Sequence, residues 1–196
     1  MSTWTFGEVI SGLTLDGREL HAAVFDEHEV RAAAGLTMVL GAAAFAPAYF
    51  DANYLPLKVV TTLFFVEFLI RVTAGLKFSP MGLIARALTR GRSPEWVSAK
   101  PKRFAWMIGL VMSFSMMSIT NSGVTGALPR TICLICLALM WLESVLGVCL
   151  GCELHGRLVR RGWTQKDPAF EVCAPGACEL PAREPAPAAA FASASR

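Results

Sequence analysis

Four blocks of the chain, Ala32–Phe50, about Leu55–Leu76, Phe104–Thr120 and about Thr131–Cys152, are apolar along their whole length instead of on one face. A helix apolar all round has no side to offer water, and about 19 residues rising about 1.5 Å each nearly cover a hydrocarbon core of about 30 Å. In lipid each backbone polar group has to be satisfied within its own segment, so the blocks dictate helices. The fold class expected is all-α, a polytopic integral membrane helix bundle with about four transmembrane helices. Composition agrees: 54% of residues are hydrophobic and 17% charged, far more apolar than a water-soluble domain of this length.

Local signals punctuate the blocks. Asp26 with Glu29 three positions on reads as a capping-box start for the first helix, and Pro47 with the Asp51–Ala52–Asn53 cluster ends it. The second block carries Glu67 and Arg71, spaced to pair at i,i+4. A charge at a helix centre costs about 2.5–3.5 kcal/mol on insertion scales, which a dozen large apolar side chains offset. Gly109, Ser113 and Ser115 give the third helix small surfaces for close packing.

Charge is sorted along the chain, and that sorting predicts topology. Residues 1–29 are acidic, with Glu8, Asp16, Glu19, Asp26, Glu27 and Glu29 against Arg18, and show neither a removable signal peptide nor enough apolar residues for more than a minor packed element. The connection 77–103 holds Lys77, Arg86, Arg90, Arg92, Lys100, Lys102 and Arg103 against Glu95, and Arg157, Arg160, Arg161 and Lys166 follow the fourth block. The other two connections have little beyond Lys58 and Arg130. Positive charge collects on the cytoplasmic side, so the basic loop and both termini are expected there. Within that loop Ser79–Pro80 forms an N-cap and first-turn proline. Leu83, Ile84 and Leu88 then share a face opposite Arg86 and Arg90, as in a short interfacial helix. The domains expected are an acidic segment 1–29, a transmembrane domain 30–153, a cysteine-bearing segment 154–179 and a disordered Ala/Pro tail 180–196. Nothing resembles a nucleic-acid-binding surface, a phosphate loop or a hydrolase triad.

Six cysteines form three close pairs in the C-terminal third. Cys149 and Cys152 are a C-x-x-C pair at the expected cytoplasmic mouth of the fourth helix, followed by Glu153 and His155. In a reducing compartment such a pair is redox-active, sulfur-carrying or metal-binding, the bland alternative being packing of two small side chains. Cys133 and Cys136 lie in an apolar run without a neighbouring base and read as packing. Cys173 and Cys178, secondary thiols in the tail, can relay to Cys149 and Cys152 or complete a four-thiolate soft-metal site with them. Glu67, Arg71 and Glu143 form an expected intramembrane polar cluster, able to share a proton; its static alternative is an inter-helix salt bridge with Arg71 snorkelling outward. His21 and His28 read as solvated.

The segments Phe65–Val–Glu–Phe–Leu–Ile–Arg71, Gly75–Leu–Lys–Phe–Ser–Pro80, Pro101–Lys–Arg–Phe104 and Cys149–Leu–Gly–Cys152 resemble a family of small bacterial four-helix membrane proteins, domain of unknown function 4395. The resemblance covers about residues 30–160. It implies a four-helix core in a bacterial cytoplasmic membrane, in the company of thiol and sulfur-transfer proteins, and supplies neither an activity nor a cofactor. Three functions follow as expectations. One is thiol-redox or sulfur handling through Cys149 and Cys152 with a cytoplasmic thioredoxin-like or sulfur-transfer partner. Another is a small permease or accessory subunit using the Glu/Arg cluster. The third is a membrane anchor for soluble partners.

Overall fold

The computed structural model of the protein describes residues 7–9, 14–15, 18–19 and 23–163. In chain order these form β1 (Glu8–Val9), β2 (Thr14–Leu15), β3 (Arg18–Glu19), β4 (Ala23–Asp26), α1 (Glu27–Phe50), α2 (Leu55–Thr73), a single 3-10 turn (Leu76–Phe78), α3 (Pro80–Thr89), β5 (Trp96–Ser98), α4 (Ala99–Asn121), α5 (Ala127–Leu146) and α6 (Leu150–Arg160). It is an all-α membrane bundle carrying a small sheet at one end. Three of its helices, α1, α4 and α5, are long and apolar enough to cross a bilayer.

The helix ends follow local chemistry. Asp26 caps α1, its Oδ1 accepting from the His28 amide at 3.0 Å and from the Glu95 amide at 3.2 Å, so one carboxylate starts a helix and holds a distant loop. Ser79 caps α3 by accepting from Gly82 N at 3.1 Å, with Pro80 in the first turn as its preset φ favours. α5 stops at Leu146 because Gly147 takes the left-handed conformation, φ 70°. Arg31 of α1 occupies the freed carbonyls, donating to Val145 O at 2.9 Å and to Ser144 O at 3.3 Å.

β4 and β5 pair antiparallel, with Phe25 opposite Val97 and Asp26 opposite Trp96, and β1 adds to the outer edge of β4; β2 and β3 form a separate two-stranded ladder. Because α1 follows β4 and α4 follows β5 without a linker, this short ladder sets where both helices begin. Phe25 and Trp106 lock it to α4, their rings 5.0 Å apart. α1 packs on α5 and α2, α2 on α4, α3 on α1 and α6 on α4. The sheet, α3 and α6 therefore gather at the end where α1 and α4 begin and where α2 and α5 finish. At the opposite end the Tyr54 hydroxyl joins two turns, accepting from Gly126 N at 2.8 Å and from Arg130 Nε at 3.1 Å. Large apolar side chains such as Val39, Val59, Val111, Phe114, Leu134 and Ile135 point outward, whereas Glu67, Arg71 and Lys102 are buried. That is the polarity of a bundle solvated by lipid.

Several sequence expectations change. The fourth apolar block is not one helix to Cys152: it breaks at Gly147, and Cys149 opens a separate helix, α6. The acidic N-terminal segment contributes strands, and the basic loop 77–103 contributes α3, β5 and the first turns of α4. Strands so short carry no readable alternation, and β4 finds its partner β5 about seventy residues away in the chain, so pattern alone could not find this pairing. Residues 164–196, with Cys173, Cys178 and the expected disordered tail, lie outside the described residues, as does His21.

Asp26→Ala removes the α1 cap and the tie to the Glu95 amide together. The expected outcome is a stability loss of about 1–2 kcal/mol, read as a lower unfolding midpoint in detergent micelles; an unchanged midpoint contradicts the role given to this cap.

Candidate functional site

The polar residues inside the bundle sort into two clusters. In the first, Arg71 donates from Nε to Glu67 Oε1 at 2.7 Å and from NH2 to Thr37 Oγ1 at 3.2 Å, and Thr37 in turn donates to Ala33 O. The second Glu67 oxygen accepts from the Met81 amide at 3.3 Å, in the first turn of α3. The i,i+4 pairing expected from spacing is therefore present, and the carboxylate also secures α3. Arg71 is 2% exposed and does not snorkel. It has a partner on α1 to satisfy it in place, and its guanidinium lies 5.2 Å from the Phe68 ring centroid.

The second cluster joins three helices. Lys102, in the first turn of α4, sits 2.8 Å from Glu27 Oε2 at the start of α1 and 3.6 Å from Glu143 Oε1 near the end of α5. Glu143, expected beside Glu67 and Arg71, is thus paired with a different cation. All three side chains are buried, yet neither Glu27 oxygen, nor Lys102 Nζ, nor Glu143 Oε1 makes an aligned hydrogen bond among the described residues. Two carboxylates share one ammonium in a medium where each loses its hydration, which makes the cluster costly unless intact. Lys102 and Glu27 read in the sequence as parts of a solvated basic loop and an acidic tail. The signal that could have found Lys102 is its place inside the Pro101–Lys–Arg–Phe104 segment, immediately before the apolar block.

Beside this cluster lie the paired thiols. Cys149 has the extended backbone of an N-cap (φ −92°, ψ 97°), and its Sγ accepts from the Cys152 amide at 3.3 Å. Gly151 presses the start of α6 onto α4: a Cβ there would stand 2.5 Å from the Ala105 Cβ, so only glycine allows the approach. This contact brings Cys149 and Cys152 within electrostatic reach of Lys102. Cys152 keeps its proton above the ordinary thiol range, first through its hydrogen bond with Cys149, then through burial, with Lys102 pulling the other way. Glu153 turns outward to Arg157 at 3.3 Å and Arg160 at 3.6 Å, and His155 packs against the Phe104 ring. His28 lies 3.8 Å from Glu95, at the surface.

A cavity of about 240 Å³ runs along the inside of the bundle from Cys149 past Glu143 and Arg71 to Cys133 and Cys136. Its walls are otherwise mostly apolar, and Phe64, Phe68, Met112 and Leu137 are among them. Cys133 and Cys136 stand in mid-helix on α5, with Cys133 packed among Ala44, Ala48 and Leu57. The helix ladder ties both backbones, whereas Cys149 lies outside its helix and can turn toward Cys152. Among the described residues no group of three or more His, Cys, Asp or Glu side chains is placed to hold a metal ion. The four-thiolate set of Cys149, Cys152, Cys173 and Cys178 includes residues beyond those described.

The fold and its buried charges define a helical membrane protein in which Cys149, one member of a thiol pair, lines one end of a cavity. The chain belongs to the family described as domain of unknown function (DUF4395), which matches residues 25–160, a span that takes in both charge clusters and the C-x-x-C pair. No curated protein and no solved structure matches it.

Lys102→Met leaves two carboxylates facing each other without their cation. The expected cost is about 3–5 kcal/mol, seen as a lowered unfolding midpoint in detergent, and adding Glu27→Gln with Glu143→Gln to Lys102→Met recovers most of it. A midpoint insensitive to Lys102→Met contradicts this account of the cluster.

Proposed function

We propose that the protein is a membrane-embedded thiol-redox or sulfur-handling component, in which Cys149 and Cys152 exchange electrons or a sulfane sulfur with a cytoplasmic thioredoxin-like or sulfur-transfer protein. The observation that carries this reading is the placement of Cys149 as the N-cap of α6, with the Cys152 amide on its sulfur. An i,i+3 thiol pair with one member outside the helix can close a disulfide without breaking the helix ladder. A helix N-terminus also stabilises negative charge where an attacking sulfur needs it. Lys102 supports the same end of the bundle with positive charge. In this reading Cys149 attacks, Cys152 resolves the mixed disulfide, and Cys173 with Cys178 serve as secondary thiols.

The setting proposed is a bacterial cytoplasmic membrane, crossed four times, with both termini in the cytoplasm. α2 is the added span. It carries Lys58, Glu67 and Arg71, but Glu67 and Arg71 neutralise each other inside the bundle, and its outward stripe of Leu55, Val59, Leu63, Val66 and Leu69 is apolar. That stripe presents an apolar surface to lipid. A permease built on Glu67, Arg71 and Glu143 is the weaker reading, because Glu67 and Arg71 are bound to each other and to partners on α1 and α3.

Serine is itself a good N-cap, so Cys149→Ser removes the chemistry and spares the helix start. In cells, Cys152→Ser is expected to accumulate a reductant-sensitive adduct on Cys149, detected by non-reducing electrophoresis and mass spectrometry, and Cys149→Ser to accumulate none. Absence of any adduct in Cys152→Ser, at normal protein level, goes against the thiol reading.

A further inference from the structure

The cavity poses a question that the thiol pair alone does not answer. Cys149 is 6% exposed, and its residue forms part of the cavity wall. The cavity therefore offers a small lipophilic molecule a way to this sulfur from within the bundle. The walls suit a flat ring: Phe68, Met112 and Leu137 provide apolar surface, and Arg71 and Glu143 bring charge to an otherwise greasy space. Glu143 is more than nine-tenths buried, and its Oε1, at 3.6 Å from Lys102 Nζ, has no hydrogen-bond partner among the described residues. An acyl chain filling this cavity would offer no polar contact to the Glu143 and Arg71 side chains on its wall, at a cost of about 1–3 kcal/mol for a polar group left unmatched. A ligand with a ring and a hydroxyl or carbonyl oxygen satisfies both the walls and the carboxylate. A volume of about 240 Å³ exceeds the roughly 150 Å³ that admits a benzene ring in an engineered protein cavity.

We propose that this cavity binds the ring of a membrane quinone, and that the quinone takes the electrons of the Cys149–Cys152 dithiol. The proposal rests on the thiol reading above and names its lipid-side substrate. The step balances: two S–H bonds break and one S–S bond forms. The two electrons and two protons released convert both quinone carbonyls to hydroxyls, giving one quinol for each disulfide. Glu143 accepts a hydrogen bond from a quinol hydroxyl, and Lys102, between Glu143 and Glu27, keeps positive charge beside the sulfur that loses its proton. The disulfide then oxidises a dithiol on the soluble partner.

The test uses full-length protein in lipid vesicles, reduced and freed of reductant without oxygen. Decylubiquinone is then added; its reduction is followed by absorbance and the Cys149–Cys152 disulfide by peptide mapping. Diamide, a water-soluble thiol oxidant, is run in parallel. The expected result is one quinol per disulfide in the native protein. Leu137→Trp, which fills the cavity, should slow quinone reduction by about tenfold or more, about 1.4 kcal/mol in free energy, and leave the diamide reaction unchanged. Met140→Phe, a milder filling on the same wall, serves where the tryptophan variant does not fold. A disulfide formed by diamide and not by quinone overturns the quinone proposal and spares the thiol reading. Equal quinone rates in native and filled proteins overturn the cavity as the site. If neither oxidant closes the pair, the thiol reading fails and the proposal with it.

Discussion

A lysine held between two carboxylates inside an apolar bundle is the constraint on which the rest of the structure depends. Lys102 meets Glu27 at 2.8 Å and Glu143 at 3.6 Å, and these residues come from α4, α1 and α5. Separately, any one of these charges in a lipid-solvated core would be severely destabilising; together they are tolerable only when the three helices stand at one relative height. The β4–β5 ladder supplies that height. It joins α1 and α4 directly at their first residues, so the ladder register and the ion cluster specify the same arrangement from two directions.

The thiol pair inherits its environment from this arrangement. α6 docks on the first turns of α4 through Gly151 and Ala105, the same turns that carry Lys102. The break that frees Cys149 from α5 is held by Gly147 and by Arg31, four residues beyond Glu27 on α1. One end of the bundle therefore concentrates the sheet, the ion cluster, the α5–α6 break and the part of the cavity lined by Cys149. At the other end, Tyr54, Gly126 and Arg130 close short turns with neutral and cation–π contacts, and no buried ion pair is present among the described residues.

The sequence revealed some of these features and hid others, for identifiable reasons. Glu67 and Arg71 were legible as a pair because their spacing is internal to one helix, where geometry is known in advance. Asp26 and Ser79 were legible as caps for the same reason. Lys102 was not, because a basic residue near the end of an apolar block looks like every other topology-setting lysine until a neighbouring helix is placed beside it. Glu143 was read from the sequence into one cluster with Glu67 and Arg71, whereas the structure pairs it with Lys102, since which cation it meets depends on how α5 is rotated against α4. The α5–α6 break was hidden because Val148, Cys149 and Leu150 keep the run apolar, and one glycine inside such a run has more than one outcome.

The linear chain by itself determined the solvent and the element type. Long blocks with no polar face admit only helices in lipid, and small cap and turn residues mark most of their ends, because these properties depend on neighbours within about four residues. Tertiary structure alone decided which charges pair between helices, where the fourth apolar block breaks, and that Cys149 borders the same cavity as Cys133 and Cys136. Those outcomes depend on the rotation and height of one helix against another. The β4–β5 ladder and the Glu27–Lys102–Glu143 cluster specify them across separations of about forty residues or more, where local pattern carries no information.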